Sequence, residues 1–191
     1  EAHCDITAVA CSSPDDADDY VAVGLANGLI HHFLITAPDQ IQSFPQLREH
    51  NNVKVSAIAL SRHTMYSTTG DGVLSILDLH THQSWRTTLP CPILSVAVTT
   101  DGNHIALGTA TGVTVFHNSN LSNPTTVYEG CVPVRAVAWA PHCDVGTLAF
   151  SSGAQNGELI VFSLGSGVKA SCDVGAEVCS LLWTPSSEIV V

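Results

Sequence analysis

Apolar positions along the chain recur as short runs parted by polar or Gly-bearing turns, and five of these runs share one template. ITAVAC at residue 6, VSAIAL at 55, ILSVAV at 93, VRAVAW at 134 and VCSLLW at 178 each read apolar, variable, small, apolar, apolar-or-Ala. The small position holds Ala8, Ala57, Ser95, Ala136 and Ser180, and successive copies lie 49, 38, 41 and 44 residues apart. A polar turn follows each run: SSPDDADD, SRH, TTDGN, APHCDVG and TPSSE. In the first four units a second run comes next (YVAVGL, TMYST, HIALGT, TLAFSS), then a turn bearing Gly28, Gly70 and Gly72, Gly112 or Gly157. A third run closes the hairpin (LIHHFLI, VLSILDL, VTVF, ELIVFSL). Val, Ile, Thr and Leu dominate, which predicts strands, and the Gly and Asn turns suit tight hairpins. A fourth, weaker strand is expected around SWRTTL, TTVYE and VKASCDV.

The template strands are apolar on both faces. In VSAIAL one face carries Val55, Ala57 and Ala59 and the other Ser56, Ile58 and Leu60. A strand stacked between a preceding and a following sheet has two dry faces, so simple alternation weakens. The small third residue is expected to let those sheets approach closely. Units of about 40–45 residues with four strands each are the signature of propeller blades. A β-sandwich also has short strands and regular turns, but it need not repeat one motif at this period. The expected architecture is therefore all-β: a β-propeller, present as an open arc of four blades plus part of a fifth. The blades fall at about 1–52, 53–90, 91–131 and 132–175, with 176–191 beginning another. An open blade face of about 300 Å² would forfeit on the order of 8 kcal/mol. Further blades in a longer chain are accordingly expected.

Composition narrows the function. The chain is 45% hydrophobic and 12% charged, which sets it apart from disordered segments. Six Lys plus Arg against seventeen Asp plus Glu give a formal charge of −11. That disfavours nucleic acid and anionic membrane surfaces as partners, and favours basic peptide segments. No run of about 18 apolar residues or signal-peptide pattern is present. Seven cysteines, odd in number and without a C-x-x-C pair, predict buried free thiols in a reducing compartment, cytosol or nucleus.

The units resemble degenerate WD repeats. The Trp-Asp pair is nowhere intact; Asp78 in ILDL keeps the acid, while Phe116 and Phe162 stand where the Trp would be. Residues 53–191 resemble more narrowly the Fizzy and Fizzy-related activators of the anaphase-promoting complex. EVCSLLWTP is the most specific match, followed by VPVRAVAWAPHCDVGTLAFSSG, DGNHIALGTATGVTVF and VSAIALSRHTMYSTTGDG. Residues 1–52 match loosely. The resemblance implies a non-catalytic adaptor that captures KEN and destruction-box degrons and presents substrates to a ubiquitin ligase, in nucleus and cytoplasm. Its implied partners are ligase subunits and degron-bearing proteins. A generic WD scaffold for another complex is the alternative. The sequence departs from the family at two places. An Asn-x-Asn turn is usual where Thr109-Ala110-Thr111-Gly112 stands, and a polar hydroxyl is usual near Ala154. Lost donors and acceptors imply weaker capture of a Lys-Glu-Asn peptide.

Candidate peptide contacts are drawn from the turns between second and third strands: Asp71, Thr109, Thr111, Gln155 and Asn156. Ordinary turn chemistry is the simpler reading of each, and it accounts for Asp71 between two glycines by itself. The ten histidines raise a metal site, with His31-His32 and His80-x-His82 densest, but neither pair has a third ligand at a known spacing. PDDADDY lacks the order of a calcium loop and reads as a solvated turn. Trp139 and Trp183 end equivalent strands and read as blade packing. No nucleophile elbow, P-loop or HExxH motif occurs. The expectation is no enzyme, no cofactor and no metal.

Overall fold

The computed structural model describes residues 4–12, 19–37, 40–141, 146–153 and 157–191. They form strands and turns, with no helix among them. The chain divides into two compact units, Glu1–Ile93 and Leu94–Val191.

In the first unit, β1 (Ile6–Cys11), β2 (Asp19–Leu25), β3 (Ile30–Ala37) and β4 (Gln40–Ser43) form one antiparallel sheet in sequence order. A second such sheet follows from β5 (Val55–Ser61), β6 (Thr64–Thr69), β7 (Val73–Asp78) and β8 (Ser84–Thr88). Their shared core gathers Tyr20, Ile30, Val55, Ile58, Met65 and Leu77. β4 was not foreseen: its four residues are all exposed, so it has no apolar pattern to read.

In the second unit, β9 (Ile93–Val98), β10 (His104–Thr109), β11 (Gly112–His117) and β12 (Asn120–Glu129) form a third sheet. β13 (Val137–Trp139), β14 (Thr147–Ser152), β15 (Glu158–Ser163) and β16 (Gly167–Asp173) form a fourth, and β17 (Leu182–Trp183) pairs with β18 (Ile189–Val190). Val113, Val134, Val137, Leu148, Phe150 and Ile160 build the core here. β13 and β17 are shorter than their template runs. The opening residues of the run before β13 make other bonds: the amide of Val134 donates to the Thr109 carbonyl at 2.9 Å, and the carbonyl of Ala136 accepts from the Ser151 amide at 3.0 Å.

The template explains how neighbouring sheets stack within each unit. Its first residue is buried in the later copies, with Val55, Ile93 and Val134 at 0% exposure and Val178 at 5%. The carbonyl at that position takes a hydroxyl from the sheet before. Thr7 Oγ1 donates to Val55 O at 2.7 Å, Ser95 Oγ to Val134 O at 3.3 Å, and Ser151 Oγ to Val178 O at 3.3 Å. Small residues make the approach possible. A Cβ on Gly108 would lie 2.2 Å from Ser95 Oγ and 2.5 Å from Val134 O. β5 exposes none of its residues, whereas β1 exposes Ile6, Val9 and Cys11.

The turns are held by their own side chains. Asp78 Oδ1 accepts from the amides of His80 and Thr81 at 2.9 and 2.8 Å, and its carboxyl sits below the ordinary range chiefly through the Thr81 amide. Asp101 accepts from Thr99 Oγ1 and the Asn103 amide in the same manner and is lowered first by the Thr99 hydroxyl. The cysteines correct an expectation. The six described are free, but Cys11, Cys131, Cys172 and Cys179 are exposed and Cys4 and Cys91 half-buried. The inner positions that would bury them are filled by Val, Ile, Ala and Ser. Cys143 lies outside the described residues.

Candidate peptide-binding site

Asp71 stands at the tip of the β6–β7 hairpin, exposed, with its carboxylate accepting from Thr69 Oγ1. The turn needs Gly72, whose φ is +91° and whose Cβ would fall 2.5 Å from Leu89 O. Behind the tip lies a polar cluster. His50, on the segment leading into β5, is 4% exposed, and its Nε2 pairs with Ser67 Oγ on β6 at 2.8 Å. Its Nδ1 has no hydrogen-bond partner. Glu49 accepts from Ser75 Oγ at 2.7 Å and pairs with Arg86 at 3.4 Å. Arg86 also donates to the Glu49 carbonyl. Burial first, then the Arg86 charge, lowers the His50 pKa to about 4 against the opposing pull of Glu49 and Asp71. The imidazole is therefore neutral at pH 7. Glu49, His50, Asp71, Arg86, Val53 and Val73 surround a cavity of about 60 Å³ beside Thr69.

Thr109 is buried, and its hydroxyl serves its own turn: Oγ1 donates to Gly112 O at 3.0 Å and accepts from the Thr111 amide at 3.2 Å. Thr111 is exposed beside it. Gln155 and Asn156 lie outside the described residues, as do Ala154 and most of PDDADDY. Asp71 thus sits beside a cluster that the sequence reading did not find: Glu49, His50, Ser67, Ser75 and Arg86. His50 precedes its template run by five residues, and no other unit has a His there, so the repeat offered no signal.

The other described histidines do not gather in threes as ligands. His32 is buried and stacks on Phe44 with ring centroids 4.7 Å apart; burial lowers its pKa. His31, its neighbour on β3, stacks on Phe33 instead. His80 and His82 are exposed. Among the described residues no three His, Cys, Asp or Glu come together as a ligand set. Trp139 and Trp183 each donate their indole N–H to a carbonyl of the preceding sheet, a packing role. A groove of about 580 Å³ in the second unit runs past His104, His117, Asn123, Thr126, Phe162 and Leu164, and no Asp, Glu, Lys or Arg lines it.

Four-stranded antiparallel sheets in sequence order, stacked within each unit with the following inner strand under a hydroxyl of the sheet before, are the fold of a WD-repeat β-propeller. No protein-family model matches the chain. It is similar to the WD repeat-containing protein slp1 of Schizosaccharomyces pombe, 23% identical over 177 residues, covering 90% of this chain and 35% of that protein. It is similar also to the APC/C activator protein CDH1 of Saccharomyces cerevisiae, 24% identical over 180 residues, covering 92% of this chain and 31% of that protein. Among solved structures, a chain in the crystal structure of a mitotic checkpoint complex superposes with a TM-score of 0.78 at 21% identity, over 96% of this chain and 57% of that one. The likeness to the Fizzy and Fizzy-related family therefore stands, in divergent and partial form. The chain spans about a third of the length of the curated relatives it matches.

Proposed function

We propose that these residues are the substrate-recognition propeller of a divergent activator of the anaphase-promoting complex. It binds degron peptides and presents their proteins to the ubiquitin ligase without chemistry of its own, in nucleus and cytoplasm. The observation that carries this reading is the similarity over 92% of the chain to a protein named as an APC/C activator. The formal charge of −11 supports a basic or mixed peptide as ligand. Asp71, Thr109, Thr111, Gln155 and Asn156 are the proposed contacts. Titrating labelled KEN-box and destruction-box peptides into the full-length protein tests the reading. Saturable binding of either, competed by unlabelled peptide, is expected; binding of neither removes the degron role.

One observation favours a second reading, a scaffold for a different complex. Thr109 is 2% exposed and its hydroxyl is engaged within its own turn, which leaves Thr111 to meet a ligand there. Recovery of a stable assembly lacking ligase subunits would favour the scaffold.

A further inference from the structure

The cavity behind Asp71 is a built pocket. Val53 and Val73 give it apolar walls, and Thr69, Asp71 and His50 give it polar ones. Its formal charges are −1 on Glu49, −1 on Asp71 and +1 on Arg86, with His50 neutral, so it carries a net charge of −1. Glu49 is already engaged by Arg86 and Ser75, which leaves Asp71, whose carboxylate accepts from the Thr69 hydroxyl, as the anion with no ion partner among the described residues. In the tautomer whose Nε2–H donates to Ser67 Oγ, His50 keeps Nδ1 as an acceptor that no described residue satisfies. Buried polar atoms without a partner are rare and point to a missing donor.

We infer that this pocket receives the ε-ammonium of a lysine side chain carried by a protein partner, an inference that rests on the peptide-binding reading above. An ammonium has three donors and no acceptor. Asp71, Thr69 and His50 all line the pocket and offer acceptors: the carboxylate, the lone pair of Thr69 Oγ1 not taken by the Val73 amide, and His50 Nδ1. The single positive charge cancels the pocket's single negative one. An ammonium with its last methylene occupies about the volume of two waters, on the order of 60 Å³, and the two valines suit the methylenes behind it. A guanidinium is a planar fork of five donors suited to two open carboxylate oxygens, whereas Asp71 Oδ1 already accepts from the Thr69 hydroxyl.

The test uses n-butylammonium as the probe, with the full-length chain and isotope-labelled histidine side chains followed by NMR. A saturable shift of the His50 ring nitrogens is expected, beyond any change given by sodium at equal ionic strength and absent for n-butanol. Asp71→Asn should weaken it about tenfold or more, as loss of a charged hydrogen-bond partner does. Arg86→Gln removes the competing cation from an exposed position and should strengthen it about threefold, a gain that misfolding cannot imitate. No His50 response, or a response unchanged in both variants, overturns the pocket. A chain that binds degron peptides without a His50 response loses the pocket and keeps the adaptor role. A His50 response without degron binding does the reverse.

Discussion

The indole N–H of Trp139 donates to the carbonyl of Ala97 across 3.2 Å, tying the end of one inner strand to the inner strand of the sheet before. Trp183 makes the same bond to Ala138 at 3.1 Å. Donor and acceptor hold the same template positions in both cases, so the second unit uses one fastening twice. Trp139→Phe keeps most of the packing and removes the bond, which should cost about 1 kcal/mol. Trp139→Ala also opens a cavity and should cost about 3–5 kcal/mol. Denaturant midpoints at constant slope read both. A Phe variant as stable as the parent would show that the bond contributes nothing.

Gly108 lies where the third sheet and the run leading into the fourth come close. An added Cβ meets Ser95 Oγ and the Val134 carbonyl well inside contact distance, and the carbonyl belongs to backbone that cannot swing away. Gly108→Ala should therefore destabilise by about 2–3 kcal/mol, the range of overpacking. Gly70→Ala is the control. Nothing lies within 4 Å of its added methyl, so it should stay within about 0.5 kcal/mol of the parent. Thermal unfolding of the pair checks the contrast.

The repeat was legible because packing imposes it. Inner strands packed against a neighbouring sheet meet similar surroundings, so Ala57, Ser95 and Ala136 recur at a fixed place, and runs of Val and Ile mark the strands around them. The exposed β4 escaped, since a strand at a sheet's outer edge with solvent on both faces needs no apolar residue. The candidate site was legible in part. Gly70-Asp71-Gly72 announced a hairpin tip, but the polar cluster behind it joins His50, Ser67, Ser75 and Arg86 from four separate segments. None of them recurs in the other units. The cysteines misled because average burial of that residue type says nothing of strands whose outward face is open, as with Cys11 on β1.

Ile6 and Val134 occupy the same template position with opposite surroundings, 65% exposed in one case and fully buried in the other. Val134→Ala should cost about 2 kcal/mol, for a buried branched side chain reduced to a methyl. Ile6→Ala should be neutral to within about 0.5 kcal/mol in these residues by themselves. Repeating Ile6→Ala in the full-length protein makes the pair a probe of coverage. A cost rising toward that of Val134→Ala would mean that another sheet lies on β1, and an unchanged one that none does.

His50 should make stability fall with acid. Its folded pKa of about 4 lies below the ordinary imidazole value of 6.5, so the unfolded chain binds the proton more readily. The contribution is complete above about pH 6.5, declines as the pH falls, and is lost on passing through about 4. Its size is on the order of 1–2 kcal/mol once solvent screening is allowed for. His32 and His104 are lowered as well, each first by burial, and add in the same direction. His50→Asn keeps a polar group near Ser67 but cannot take up the proton, so its stability curve should be flatter between pH 4 and 6.5. Denaturant unfolding of parent and variant across that window decides it: curves that run parallel would mean that the ring is not held neutral by the fold.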